Sequence, residues 1–339
     1  KLWAKVPLAE RTAKLTAFVD AMLTMNQEVV PEIAIQMGRP VKWGGEFRGF
    51  EERARHMIKI APDALAPIVP EKKQGFTRYI EKTPLGVVLV VAPWNYPYLT
   101  AVNSVVPALM AGNAVILKAA AQTILVGERF ATAMQAAGMP EGLFTNLVLT
   151  HDDTARILSS GSVDHCNFTG SVAGGRAIEK AAAGTFTSLG LELGGKDPGY
   201  VRADADIDAA VETLVDGAMF NSGQCCCGIE RIYVHESLYD AFVAKTVDLV
   251  KTYRLGNPLD PDTTIGPMAN VRFAAEVRAQ IDDAIDRLKK IGVPSGILTM
   301  DRAHAQHCIA RGTTFTAVGL DLSMMLAAAK DLAGTFGRG

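Results

Sequence analysis

Residues 85–93, Leu-Gly-Val-Val-Leu-Val-Val-Ala-Pro, form the most strongly apolar run in the chain and constrain its fold most. A membrane span needs about 20 apolar residues, so this run is far too short for one and reads as a strand covered on both faces. Residues 114–117, 143–149, 163–168 and 189–193 repeat the pattern, with helix-like stretches such as 127–137 between them. Strands alternating with helices predict an α/β fold with a doubly wound, Rossmann-like parallel sheet, whose ligands sit at the carboxyl ends of the strands. Upstream, residues 9–65 read as helical, with Leu15, Phe18, Val19, Met22 and Leu23 on one apolar face, and 75–86 as an extended arm. Downstream come a helix over 206–220, a strand over 228–235, a helix over 237–253, a loop over 256–269 and another helix from about 270.

The 339 residues are 49% hydrophobic and 21% charged, which allows two domains with ordinary cores. A formal net charge of -2 and no dense Lys/Arg run argue against nucleic acid or an anionic membrane as the main partner, leaving small molecules. The N-terminus lacks a signal pattern and an initiator Met, so the start of the natural chain is expected to be missing. Three of five cysteines are contiguous and no Cys or His pair has metal-ligand spacing, so free thiols, a cytoplasmic location and no metal are expected.

Four stretches carry candidate chemistry. In Phe220-Asn221-Ser222-Gly223-Gln224-Cys225-Cys226-Cys227 a helix runs into a turn bearing thiols, which gives a nucleophile access; the same cysteines also suit small buried hydrophobes. In Leu191-Glu192-Leu193-Gly194-Gly195-Lys196 a carboxylate ends an apolar strand, placed and partly desolvated like a general base, or else paired with Lys196. In Pro93-Trp94-Asn95-Tyr96-Pro97 two prolines stiffen a loop around an amide able to stabilise an oxyanion, though a structural Asx turn fits as well. Phe168-Thr169-Gly170-Ser171-Val172-Ala173-Gly174-Gly175, between strand and helix, suits phosphate at a helix N-terminus. Lys118 ends another strand and could face a cofactor phosphate or ribose, or solvent.

Over residues 8–285 these motifs resemble the aldehyde dehydrogenase superfamily. The resemblance implies Cys226 as nucleophile, Glu192 as base and Asn95 as oxyanion donor. It also implies Trp94, Lys118, Gly170, Ser171 and Gly174 as contacts of NAD or NADP, and an aldehyde substrate, a succinic semialdehyde being one possibility. The expected division is a cofactor domain over 1–193 with the arm at 75–86, a partial catalytic domain over 194–285 and an atypical tail over 286–339. The full-length parent is expected to be a homo-oligomer, dimer or tetramer, in which the arm pairs with a neighbouring subunit.

The family's Glu-x-Phe-Gly-Pro segment is not found; the nearest string, Ile265-Gly266-Pro267, lacks the glutamate. The tail reads strand over 292–298, helix over 301–311, strand over 313–320 and helix over 321–336, and looks like the end of a class II 2-oxo-acid aldolase barrel without its metal site, or else is a divergent end of the dehydrogenase domain. Weak or absent turnover by this chain is therefore expected. The rival readings are a nucleotide-binding fragment or chimera that no longer turns over, and a 2-oxo-acid aldolase.

Overall fold

The computed structural model describes residues 2–299, 301–318 and 321–335. Its elements fall into two compact units, Lys1–Ala269 and Asn270–Gly339.

The first unit opens with three helices, α1 (Leu8–Thr24), α2 (Asn26–Met37) and α3 (Phe47–Leu65). Helix α1 buries Leu15, Phe18, Val19 and Met22, the spacing of one helical face. Helix α2 stops at Gly38, whose left-handed φ of 81° lets its amide cap the Ala34 carbonyl. Five parallel strands follow: β1 (Val87–Val91), β2 (Ala114–Lys118), β3 (Phe144–Asn146), β4 (His165–Gly170) and β5 (Ser188–Leu193), in the order β3-β2-β1-β4-β5. Between them run α4 (Pro97–Met110), α5 (Leu125–Ala136), α6 (His151–Ser159) and α7 (Val172–Ala182).

Successive strand residues point to opposite faces, and β1 shows why the sheet needs two layers of cover. Val88 and Val90 join the core built by α1, α3, α4 and α5, where Phe18, Phe50 and Phe130 meet at 5.7–6.0 Å between ring centres. Leu89 and Val91 face the other way, against Leu158 of α6 and Ile178 of α7. The chain thus crosses on one side of β1 through α4 and on the other side of β4 through α7. The reversal of winding falls between β1 and β4, and their carboxyl ends open a crevice there.

Beyond the sheet, β6 (Asp197–Val201) and β7 (Ile229–Val234) form a parallel pair under α8 (Ile207–Met219) and α9 (Tyr239–Lys251), around Val201, Val211, Val215 and Phe242. Strand β6 is not foreseen from the sequence, because Pro198 and Gly199 read as a turn; with a single partner strand, β6 tolerates the proline. The arm follows a reversal of the chain. The reversal runs through a turn at Gly75, with φ of 78°, and antiparallel bridges at Lys73–Phe76 and Ile68–Ile80. Phe76, Tyr79 and Ile80 remain exposed.

The second unit comprises α10 (Val271–Lys290), β8 (Gly296–Leu298), α11 (Arg302–Arg311), β9 (Phe315–Ala317) and α12 (Asp321–Thr335). Strands β8 and β9 pair in parallel, so the strand–helix order expected of the tail is present. Residues 319, 320 and 336 of those expected elements lie outside the described residues.

Candidate active site

The loop after β1 and the turn after α8 meet. Asn95 follows Pro93 and Trp94, and its side chain bonds in two directions: Oδ1 accepts from the Tyr96 amide at 3.1 Å, and Nδ2 donates to the Gln224 carbonyl at 3.2 Å. The first bond is to the next residue and is not an Asx turn, since Pro97 two positions on has no N–H to donate; the second ties this loop to the residue before the three cysteines. A primary amide has two N–H groups, so one donor holding the turn leaves a second N–H on Nδ2.

Both loops hang from Arg39, which sequence reasoning missed. Its guanidinium is 2% exposed, donates to the Asn95 carbonyl at 2.6 Å and to Asn221 Oδ1 at 3.3 Å, and lies 4.8 Å from the Tyr96 ring centre. It also pairs with Glu46 at 2.6 Å, and the second oxygen of Glu46 accepts the Tyr98 and Leu99 amides at the start of α4. Burial pushes the Glu46 carboxyl up, opposed by Arg39 and by those amides. The available signal was Gly38-Arg39-Pro40, a charge set between two chain-bending residues after an apolar helix.

After α8 the backbone turns left-handed at Asn221 (φ 54°), Ser222 (φ 59°) and Gly223 (φ 72°). Non-glycine residues rarely hold such angles without help from their surroundings. Here Asn221 Nδ2 donates to the Gln224 carbonyl at 3.1 Å, Ser222 Oγ to Gly266 O at 2.8 Å and Gln224 Nε2 to Asn221 O at 3.0 Å, while Gln224 Oε1 accepts the Ala269 amide at 2.9 Å. The turn delivers Cys225 half-buried and Cys226 and Cys227 exposed. All three sulfurs lie within 4.8 Å of one another, with Cys225 and Cys227 3.3 Å apart. That convergence is not legible in the spacing, from which no metal-type grouping is expected. The hydrogen bond with Cys225, with burial second, pushes the Cys227 thiol up to about 11, which keeps it protonated at neutral pH.

Glu192 sits at the end of β5 opposite Thr169 and is exposed, not partly desolvated as expected, because β5 is the edge strand of its sheet. Lys196 pairs with Glu230 instead. Next to it, Gly194 (φ 62°) and Gly195 (φ 143°) turn the chain against the cysteine loop. A Cβ on Gly195 would fall 1.6 Å from the Cys226 carbonyl oxygen, so only glycine allows this approach.

In the glycine-rich stretch, Ser171 caps α7 by accepting the Gly174 amide at 3.1 Å. Gly170 and Gly174 close around the Phe168 ring, where a Cβ would come within 2.7 and 2.6 Å of it. The amides of a helix N-terminus therefore face the crevice at the end of β4. Lys118 is 6% exposed, and its Nζ donates at 3.4 Å to the neighbouring Ala119 carbonyl; burial lowers its pKa. Beside it a small cavity is lined by Ala119, Ala121, Ile124, Asn146 and Val148. Trp94 is half-buried against the helical core.

A parallel doubly wound sheet with a glycine-rich helix start at the carboxyl ends of its strands has the architecture of nucleotide-binding α/β proteins. A sequence model of the aldehyde dehydrogenase family matches residues 1–324, and the chain belongs to that family. The match runs through most of the tail, so the resemblance of residues 286–339 to an aldolase barrel finds no support. A succinate-semialdehyde dehydrogenase [NADP(+)] of Mycolicibacterium paratuberculosis is 36% identical over 282 residues, which is 82% of this chain and 59% of that protein. The solved succinate-semialdehyde dehydrogenase from Burkholderia pseudomallei superposes with a TM-score of 0.79 at 30% identity, over 84% of this chain and 60% of the other. A 3,6-anhydro-L-galactose dehydrogenase solved in complex with NAP gives 0.78 at 28% identity, over 84% and 60%. The chain spans about 59% of the length of the curated relative it matches. Among the described residues no helix is long and apolar enough to cross a membrane.

Proposed function

We propose that this chain forms the cofactor-binding and nucleophile-bearing part of an aldehyde dehydrogenase that oxidises an aldehyde to a carboxylic acid. The observation that carries the reading is the bond from Asn95 Nδ2 to Gln224 O, which fixes an amide beside a turn of exposed thiols. In this reading the Cys226 sulfur attacks the aldehyde carbon, and the carbonyl electrons move onto oxygen. The free N–H of Asn95 and the Cys226 amide stabilise that oxyanion. A nicotinamide cofactor held there would supply the hydride acceptor, so that loss of hydride from the Cys226 thiohemiacetal would leave a thioester on that sulfur. Glu192 then takes a proton from water as it attacks the thioester, the C–S bond breaks, and the acid leaves with the thiol restored. Exposure at the sheet edge keeps Glu192 open to that water.

The residues fit a dinucleotide. The α7 N-terminus at Gly170, Ser171 and Gly174 would take its pyrophosphate, and Trp94 and Lys118 would line the cofactor. Buried Lys118, with a single long hydrogen bond to the neighbouring carbonyl, suits a ribose or phosphate oxygen. The relatives named for NADP(+) and the neighbour bound to NAP support NADP as well as NAD. Those relatives also support succinic semialdehyde as the substrate. The exposed arm is proposed to pair with another subunit, giving a homo-oligomer. Domain division at about 193 and 285 is retained as a functional one, between cofactor binding, nucleophile and tail.

The test is to mix the chain with succinic semialdehyde and NADP+ or NAD+ and follow reduced nicotinamide. A burst equal to the Cys226 content is expected even if turnover is slow. Cofactor binding with no burst would overturn the enzymatic reading in favour of a binding fragment, and release of pyruvate from a hydroxy-oxo acid would support the aldolase.

A further inference from the structure

The three sulfurs at the tip of the turn do more than surround one nucleophile. We propose that Cys225, Cys226 and Cys227 together bind one thiophilic divalent cation of the Zn2+ or Cd2+ type, which caps the Cys226 sulfur. The geometry is close to what such an ion needs. Around a tetrahedral centre with metal–sulfur bonds of about 2.3 Å, sulfurs lie roughly 3.8 Å apart. Here all pairs fall within 4.8 Å and the Cys225–Cys227 pair stands at 3.3 Å, so closure takes side-chain adjustments of about an ångström or less.

Three further features favour the site. The backbone is fixed just before the thiols by the Asn221, Ser222 and Gln224 hydrogen bonds, so little order has to be created on binding. Cys226 and Cys227 are exposed, which gives a hydrated ion a way in and leaves a fourth position for water. The donors are sulfur only, which selects Zn2+ or Cd2+ over the oxygen-seeking Mg2+ and Ca2+. No electron moves: three thiol protons are released, three metal–sulfur bonds form and waters leave the ion.

The cation site stands on the sulfur positions alone; its effect on aldehyde oxidation rests on Cys226 being the nucleophile. The experiment is an anaerobic titration of the reduced chain with Cd2+, following the cadmium–thiolate charge-transfer absorption. Saturation at one Cd2+ per chain is expected. Loss of an outer partner of a metal site already costs about tenfold in affinity, so Cys225→Ser, Cys226→Ser and Cys227→Ser should each cost more than that. Cys166→Ala and Cys308→Ala, at buried thiols that do not belong to the three-sulfur group, should leave the titration unchanged. A second measurement is iodoacetamide labelling of Cys226, which Zn2+ should block and a chelator restore. Absence of a saturable band, an unchanged titration in Cys225→Ser and Cys227→Ser, or labelling of Cys226 at an undiminished rate under Zn2+ would each overturn the proposal. Failure of the dehydrogenase reading is separate, since it would appear as no hydride transfer in metal-free protein.

Discussion

Arg39→Met removes a charge while keeping length and apolar contact, and it isolates what the buried pair does. Arg39 and Glu46 are 2% and 3% exposed and share a 2.6 Å bond, so the variant leaves a carboxylate in the interior with two amides as its remaining partners. Breaking a buried pair by removing one partner costs about 3–5 kcal/mol. Against a domain stability of roughly 5–15 kcal/mol that is a large fraction. The loss should depend on pH with a definite sign. With the guanidinium gone, burial holds the Glu46 carboxyl above its ordinary value, so the folded state binds a proton that the unfolded chain has released. A group raised in the folded state contributes stability that is present below the unfolded pKa and lost as pH rises through the folded one. The variant should therefore be least destabilised in mild acid and most at neutral pH and above. Urea unfolding followed by tryptophan fluorescence measures this cleanly, because Trp3, Trp43 and Trp94 all lie in the first compact unit. Adding Glu46→Gln should recover part of the loss at neutral pH by removing the stranded charge. A cost below about 1 kcal/mol, the scale of a surface pair, or a cost independent of pH would refute the reasoning.

Gly195→Ala places a Cβ where the Cys226 carbonyl lies, so the turn must move; a displacement of about 1 Å costs on the order of a hundredfold in rate, read as the single-turnover burst, while circular dichroism stays native. Cys226→Ala should abolish the burst and keep cofactor binding, whereas Cys225→Ala and Cys227→Ala should retain most of it, as stopped-flow absorbance will show. Glu192→Gln should keep the burst and stall at the thioester, detectable as an acylated Cys226 by mass spectrometry. Ala121→Glu puts a carboxylate into the small cavity beside Lys118, where it would repel a 2′-phosphate; the ratio of NADP+ to NAD+ affinity should fall, and an unchanged ratio would move the adenosine elsewhere.

The centre of the sheet was legible because β1 and β2 are nearly unbroken apolar runs: residues 85–93 read as a strand and 87–91 form one, and 189–193 needed only Ser188 added. Strand β6 was not, since Asp197-Pro198-Gly199 carries the local chemistry of a turn and its pairing with β7 is a tertiary fact. The same division runs through the site. Asn95, Glu192 and Cys226 stand out as reactive residue types at strand and helix ends. Arg39 and Asn221 do not, because what distinguishes them is burial and mutual contact across 182 positions of sequence. The exposure of Glu192 follows from β5 being an edge strand, and strand order is likewise absent from a local pattern.

The geometry of the site depends on where the sheet reverses. Strand β1 is paired on both sides, by β2 and β4, so the loop leaving it has the most rigid origin the sheet offers. The cysteine turn has no such footing: it follows a helix end and passes through two non-glycine residues at positive φ. Its order is borrowed. Asn95 gives it one amide hydrogen, and Arg39 reaches both the carbonyl of Asn95 and the side chain of Asn221. Because Asn95 and the turn share these anchors, a shift of either loop carries the other with it, and their separation is held more tightly than the position of each. The cost is that a single buried cation supports both, so damage at Arg39, which touches no reacting atom, should reach the chemistry as surely as damage to the loops themselves.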